Sequence, residues 1–308
     1  MTKRDNLTGS LILTLCAMIW GSSFVAQSAG AEFVGPFTFI GLRSLLGAAF
    51  LLPVILLKDT VLKRKAPERF VSTDRKKLLR GGLLCGVVLS VASLLQQFGI
   101  DRGTPSGKAG FITALYILLV PILSLALRKK VRPILWPCAL AAVGGLYLLC
   151  VKEDTGVQFS DLYVLGCAFM YAVHILVVDR VAPELDGIKL SCVQFFVAGV
   201  LCIPPMLLTE EVSLSLIKSA ALSIAYSGIM SSGVAFTLQI LGQQRTEPTL
   251  ASMLMSLESV FAMLTGFLVL HEVPTLREAV GSAIMFAAII VAQLPQRGKG
   301  DRERQSVK

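Results

Sequence analysis

Apolar residues along the chain fall into blocks of roughly 20, the length of an α-helix that crosses a hydrocarbon layer about 30 Å thick. Within the blocks, apolar positions occur on every side of the helix, without the polar positions that a soluble helix or strand shows. The pattern predicts an all-α polytopic membrane protein. Ten spans are predicted, at residues 7–28, 36–57, 78–100, 106–127, 134–150, 162–181, 188–208, 217–239, 250–270 and 276–294.

The positions of the basic residues support ten spans and orient them. Ten crossings place both termini on one side, and 23 of the 29 Lys and Arg residues fall there, against five on the other side. Arg43 lies within the second span. Because cytoplasmic loops are enriched in Lys and Arg, we expect a multi-pass protein of the plasma or inner membrane with both termini in the cytoplasm.

Composition narrows the classes of partner and cofactor. Charged residues make up only 16% of the chain, and the net charge of +9 resides mainly in loops that face anionic lipid headgroups. No basic face carries stacking aromatics, so nucleic acid is not expected. The seven cysteines form no CxxC pair and fall within or at the ends of spans. They are interpreted as packing residues, and neither a metal site nor a cofactor is expected.

The chain contains an internal repeat. Residues 16–20 (CAMIW) match residues 167–171 (CAFMY) at a shift of 151. Leu95-Gln96, Gly99 and Pro105 match Leu238-Gln239, Gly242 and Pro248 at a shift of 143. We therefore predict a first five-helix repeat at residues 1–156, a second at 157–296 and a basic cytoplasmic tail at 297–308.

Five helices per repeat have a topological consequence. Because five is odd, the second repeat enters the membrane from the opposite side, and the two repeats are inverted relative to each other. Inverted repeats can exchange conformations, so that a site between them opens first to one side and then to the other. The pattern predicts alternating-access transport.

Two features of the first two helices are distinctive: residues 20–24 read WGSSF, and Arg43 lies within the second span. They resemble the first-helix signature and the second-helix arginine of the EamA-type branch of the drug/metabolite transporter superfamily. Residues 106–113 (SGKAGFIT) open the fourth helix as in many bacterial members. Residues 257–260 (LESV) resemble its L-E-P-V stretch with serine for proline, and residues 270–272 (LHE) resemble its L-G-E stretch with histidine for glycine.

The resemblance implies a ten-helix bundle around a central cavity lined by helices 1, 3, 4, 6, 8 and 9, with helices 5 and 10 at the periphery. It implies small organic substrates but no particular one. Ala279, Ala283 and Ala287 form a small face on the tenth helix, which we interpret as a seam within the bundle or between two copies. A monomer and a homodimer both remain open.

Two charged residues inside spans are candidates for chemistry, because a charge in the bilayer usually faces a cavity or a partner. Glu258 lies about 16 Å into its span, near the midplane. It is a candidate for proton coupling or for binding a cationic group, and a structural carboxylate is the alternative. Arg43 could hold a substrate carboxylate in its fork, or it could have a structural role, either by extending to the outer surface or by pairing with an acid.

The remaining candidates are polar or aromatic. Lys108, at the start of the fourth helix, is a gating candidate, with an interfacial lysine as the alternative. His174 is a second proton-coupling candidate, although hydrogen-bonded packing is the more common role. Candidate cavity residues are Trp20, Ser23, Gln96, Thr113, Tyr116, Tyr171 and Gln239.

These observations favour a secondary transporter of small organic metabolites, with export of amino acids or related compounds as the first interpretation and uptake as the second. A membrane scaffold or sensor is the alternative from another class. An enzyme is not expected. The two histidines form no HExxH site, and residues 103–109 lack the spacing of a phosphate-binding loop.

Overall fold

A computed structural model describes residues 3–65, 73–151, 158–270 and 274–294 of the chain. Every regular element within these ranges is helical, and the helices follow the ten predicted spans. Seven of them are continuous: α1 (Lys3–Ala31), α2 (Pro36–Lys65), α3 (Arg75–Asp101), α5 (Leu135–Cys150), α6 (Phe159–Val181), α7 (Gly187–Thr209) and α10 (Leu276–Gln293). The predicted tail at 297–308 and the residues His271 and Glu272 lie outside the described ranges.

The other three helices are interrupted. Helix α4 consists of Ser106–Ala114 and Tyr116–Ala126, and α9 consists of Pro248–Met255 and Glu258–Leu270. Helix α8 runs through Ala221–Tyr226, a π-helical stretch at Ser227–Ala235, and Phe236–Gln243. Neither the interruptions nor the π-helical stretch was predicted from the sequence.

Nine helices in the described part of the chain are long and apolar enough to cross a membrane, and α5 is a shorter apolar helix. Polar residues set where several of them begin. Asp74 accepts hydrogen bonds from the backbone N–H groups of the first turn of α3, and Asp186 does so for α7. Thr275 and Glu278 form a capping box at α10. With α5 included, the described helices agree in number and place with the ten predicted spans.

The main helix contacts remain the same when each helix is replaced by the equivalent helix of the other repeat. Helix α2 packs on its repeat equivalent α7, and α5 packs on its equivalent α10. The other main contacts occur as equivalent pairs: α3–α6 with α8–α1, α3–α7 with α8–α2, and α4–α6 with α9–α1. This pattern is compatible with the predicted pair of inverted repeats, which a two-fold axis in the membrane plane would relate.

Helices α2 and α7 are joined at both ends by equivalent contacts. At the basic face, Lys189 Nζ lies 2.7 Å from Asp59 Oδ2. At the opposite face, Glu210 accepts hydrogen bonds from the backbone N–H of Thr38 at 2.8 Å and from its hydroxyl group at 2.7 Å. Asp59 and Glu210 are separated by 151 residues, as are Thr38 and Lys189. The two contacts are therefore the same contact in the two repeats.

Further ion pairs connect the repeats at the basic face. Lys58 lies 2.6 Å from Asp186, and Arg132 lies 2.6 Å from Glu247. Burial acts to raise the pKa of Asp186, but the hydrogen bond and charge of Lys58 and the backbone N–H groups that Asp186 caps bring the pKa below its usual value. Charges that belong to different repeats therefore join the repeats at this face.

The seam between α5 and α10 depends on two glycines. A Cβ atom on Gly145 would lie 2.6 Å from the carbonyl oxygen of Gly281, and a Cβ atom on Gly281 would lie 2.5 Å from that of Gly145. The expected alanine face of α10 is not this seam, because Ala279, Ala283 and Ala287 are all exposed. The interpretation of that face as a seam within the bundle is wrong, because its small residues point away from α5.

Replacing Gly145 by alanine is expected to destabilise the protein by about 1–3 kcal/mol, because the added methyl group overpacks the contact with α10. The matched control is Gly144→Ala, since a Cβ atom there meets nothing within 4 Å. Thermal unfolding in detergent measures both. Equal unfolding temperatures for the two variants would contradict the close approach of α5 and α10.

Candidate functional site

A central cavity lies between the two repeats. It contains about 480 Å³ of space not occupied by atoms, a figure that includes the solvent space open to it. Fifteen residues line it: Trp20, Ser23, Phe24, Gln27, Arg43, Gln96, Thr113, Tyr116, Tyr171, Ile175, Ser231, Phe236, Gln239, Met255 and Glu258. They come from α1, α3, α4, α6, α8 and α9, as expected, and also from α2 through Arg43.

The structure brings nine of the eleven candidate residues into this lining. These are Trp20, Ser23, Arg43, Gln96, Thr113, Tyr116, Tyr171, Gln239 and Glu258. The roles assigned to them remain predictions. Lys108 and His174 lie outside the lining and are described below.

The cavity adjoins the interruptions of α4 and α9, which occur at equivalent places in the two repeats. At each interruption the helix tightens. Leu115 N–H bonds to Ile112 O at 3.2 Å, and Leu257 N–H bonds to Leu254 O at 3.3 Å. Tyr116 and Glu258 are the first residues after the interruptions. The Tyr116 hydroxyl group donates to Glu258 Oε1 at 3.4 Å, so the two interruptions contact each other across the cavity.

A close approach of α1 to α9 positions Glu258. A Cβ atom on Gly21 would lie 2.5 Å from the carbonyl oxygen of Glu258 and 2.7 Å from the backbone nitrogen of Ala262. Only glycine fits this contact without displacing α9. The glycine of the WGSSF stretch therefore brings the Glu258 carboxyl group, 5% exposed, next to the cavity aromatics.

Arg43 carries the second charge of the cavity. Its side chain is 2% exposed, and its guanidinium carbon lies 5.8 Å from the centre of the Phe39 ring. The Nε and Nη1 atoms are buried and have no hydrogen-bond partner. Among the described residues, no acidic side chain pairs with Arg43. The alternative of a structural ion pair therefore finds no support.

Neutral polar groups complete the lining. Gln96 Nε2 donates to Thr113 Oγ1 at 3.0 Å, and the Ser23 hydroxyl group donates to the carbonyl oxygen of Ile19 at 3.0 Å within its own helix. Three further atoms are buried without a hydrogen-bond partner: Trp20 Nε1, Gln27 Oε1 and Gln239 Oε1. Buried polar groups are usually paired, so these atoms are available to a ligand or to water in the cavity.

Lys108 lies at the face opposite the basic loops, where α4 and α6 begin. Its Nζ atom lies 2.5 Å from Asp161 Oδ2, with side chains 11% and 7% exposed. The Thr104 hydroxyl group lies 2.8 Å from Ser160 Oγ and 3.1 Å from Asp161 Oδ1. We call Thr104, Lys108, Ser160 and Asp161 the α4–α6 polar cluster. It joins the two repeats at this face.

His174 is buried behind the cavity. Its Nε2 atom lies 3.2 Å from Gln194 Oε1, and its ring lies 6.3 Å from that of Phe236, which in turn contacts Trp20. The ring of Phe236 lines the cavity and the imidazole does not. Hydrogen-bonded packing, the alternative considered for His174, describes this arrangement.

Six lining residues were not singled out from the sequence: Phe24, Gln27, Ile175, Ser231, Phe236 and Met255. Two carried a usable signal, because Gln27 follows Ser23 by one helical turn and Ile175 is the repeat equivalent of Phe24 at the shift of 151. Ser231 had none, since it lies in the π-helical stretch, which changes the faces that later residues present.

Comparisons with known proteins agree with this architecture. The chain matches the EamA-like transporter family over residues 7–151 and again over 158–293, one match per repeat. The chain belongs to this family. A chain of known structure has a TM-score of 0.75 at 20% identity, over 92% of this chain and 96% of its own, which shows the fold.

Relatives of this EamA-like protein bear names of transporters. One is an uncharacterized transporter of Archaeoglobus fulgidus, 26% identical over 94% of this chain and 86% of its own. Another is the uncharacterized inner membrane transporter YedA of Escherichia coli, 23% identical over 81% of this chain and 78% of its own. The protein is thus a multi-pass membrane transporter, and neither name states a substrate.

Replacing Lys108 by glutamine is expected to destabilise this EamA-like protein by about 3–5 kcal/mol, because it leaves the buried Asp161 carboxylate without its cation. The control is Lys77→Gln, which breaks the exposed pair with Glu184 and should change the unfolding temperature little. Thermal unfolding in detergent compares them. A Lys108 variant as stable as the control would show that the α4–α6 polar cluster does not hold the repeats together.

Proposed function

We propose that this protein is a secondary active transporter that exports small organic metabolites, amino acids or related compounds, by alternating access. The observation that carries the proposal is the central cavity. It lies between two inverted repeats, beside equivalent interruptions of α4 and α9, and it collects buried polar atoms without partners. Interrupted helices in corresponding positions of two repeats are characteristic of transporter substrate sites.

The contacts of the helices indicate which parts move. Helices α2 and α7 are joined at both faces, and α5 and α10 share a glycine seam, so these pairs form the stationary frame. Opening therefore falls to the α4–α6 contact and to its repeat equivalent, α9–α1. With the basic face in the cytoplasm, the α4–α6 polar cluster is the outer gate, and the repeats are here in contact at both faces.

Glu258 is the proposed coupling residue. It is the acidic residue of the cavity lining, and it is buried next to Tyr116. A carboxyl group that exchanges a proton with either side as the gates alternate would couple export of the substrate to entry of a proton.

Proteoliposomes loaded with a mixed pool of amino acids and small metabolites test this function. We expect one class of compound to leave selectively, faster with an inward proton gradient, as read by mass spectrometry. Glu258→Gln should abolish the acceleration by the gradient, because an amide cannot carry the proton. Glu211→Gln, at an exposed site outside the cavity, is the control.

Two results would count against the proposal. A folded wild-type protein that moves no compound of the pool would contradict export of these metabolites. A Glu258→Gln variant that keeps the full response to the proton gradient would remove Glu258 from the coupling step. Accumulation instead of loss would identify the protein as an uptake permease.

A cross-link tests the outer gate. In a Thr104→Cys/Ser160→Cys variant the two side chains replace a hydroxyl pair 2.8 Å apart, so oxidation should join α4 to α6 and stop transport, while reduction should restore it. Each single cysteine variant is the control. Transport at the same rate in the oxidised and reduced double variant would show that α4 and α6 do not separate during the cycle.

A further inference from the structure

The central cavity contains two ionisable side chains of opposite type that do not form an ion pair with each other. Arg43 and Glu258 both line it and are both almost completely buried. Among the described residues, neither makes an ion pair. The one hydrogen bond described for the Glu258 carboxyl group is the long one from Tyr116, and Arg43 Nε and Nη1 have none.

A burial of this kind has a high free-energy cost unless a partner is supplied. Structural buried charges are normally paired and hydrogen-bonded. Among the described residues, the protein supplies neither a cation to Glu258 nor an anion to Arg43. Each charge therefore keeps its capacity to bind for something that enters the cavity, and the two charges lie on opposite repeats, on α2 and α9.

The geometry points to a zwitterionic ligand with an apolar side chain. We propose that its anionic group binds the guanidinium group of Arg43 and its ammonium group binds the Glu258 carboxylate. This inference rests on the proposed function and specifies the ligand of that same cavity. One arginine and one carboxylate in the lining match one negative and one positive charge, whereas a multiply charged phosphate would find a single cation.

The neutral lining agrees with this assignment. Phe24, Ile175, Phe236 and Met255 provide an apolar wall for a side chain. The orphan N–H of Trp20 can donate to an anionic group, and the orphan carbonyl oxygens of Gln27 and Gln239 can accept from an ammonium group. The Trp20 N–H, like Arg43, can bind an anionic group, and the two carbonyl oxygens, like Glu258, can bind an ammonium group.

Binding is measured on the whole protein through Trp20. The chain has two tryptophans, and Trp136→Phe leaves the indole of the cavity as the only one. The probes are three molecules of nearly the same shape: L-leucine, L-leucinamide, which lacks the negative charge, and 4-methylpentanoate, which lacks the positive charge. We expect L-leucine to change the Trp20 emission and each analogue to bind about tenfold more weakly or worse.

The charge variants assign the two ends. Arg43→Gln should remove the advantage of L-leucine over L-leucinamide and keep its advantage over 4-methylpentanoate, and Glu258→Gln should do the reverse. Arg102→Gln and Glu211→Gln, both exposed and outside the cavity, should keep both advantages. Arg43→Lys retains the charge, so it reports on Arg43 even if the glutamine variant fails to fold.

Three outcomes would overturn the proposal. The first is an analogue with one charge that binds as tightly as L-leucine. The second is that both Arg43→Gln and Glu258→Gln still bind L-leucine more tightly than either analogue. The third is export of compounds that are not zwitterions in the pool assay together with no response to L-leucine. In that last case the transport function stands and the ligand class is wrong, whereas absence of any export rejects the transport function itself.

Discussion

Hydrocarbon forms no hydrogen bonds, and this constraint determines where each polar side chain of the protein can lie. A glutamine or a charge in the middle of a span must face the protein interior or a cavity. The long helices are therefore apolar on their outer surfaces, as at Leu52, Leu56 and Leu268. Polar residues of both repeats converge on the central cavity, where Tyr116 contacts Glu258. The cavity is the consequence of two repeats that share one polar interior.

The symmetry also separates rigid contacts from contacts that can change. A helix that packs on its own repeat equivalent, as α2 does on α7, makes the same contact when the repeats exchange conformations. Exchange of conformations therefore requires no change in the α2–α7 contact. Equivalent contacts such as Asp59–Lys189 and Glu210–Thr38 can hold both ends of this helix pair. The α4–α6 and α9–α1 contacts are different, because exchange converts one into the other. Alternation between two faces is available only to contacts of this second kind.

The sequence predicted the features that depend on composition and local pattern. Ten spans follow from the lengths of apolar blocks, and the repeats follow from short matches such as that between Gln96 and Gln239. Because polar residues in spans must face inward, nine of the eleven candidates reach the cavity. The π-helical stretch of α8 and the interruptions of α4 and α9 depend on packing with helices distant in the sequence. For the same reason the sequence did not locate the seam of α10 within the bundle, since only the structure shows that Gly145 opposes Gly281.

The two repeats share a frame but differ in charge. At the shift of 151, Arg43 corresponds to Gln194, and Ser23 corresponds to His174, which is hydrogen-bonded to Gln194 behind Phe236. At the shift of 143, Glu258 corresponds to Leu115, which carries no charge. A second arginine or a second carboxylate near the axis would place like charges in one low-dielectric space, at a high cost in free energy. A symmetric frame can therefore carry a strong cation or a strong anion in only one of its two copies. The symmetry supplies the motion, and departures from it give the cavity a polarity that a ligand can recognise.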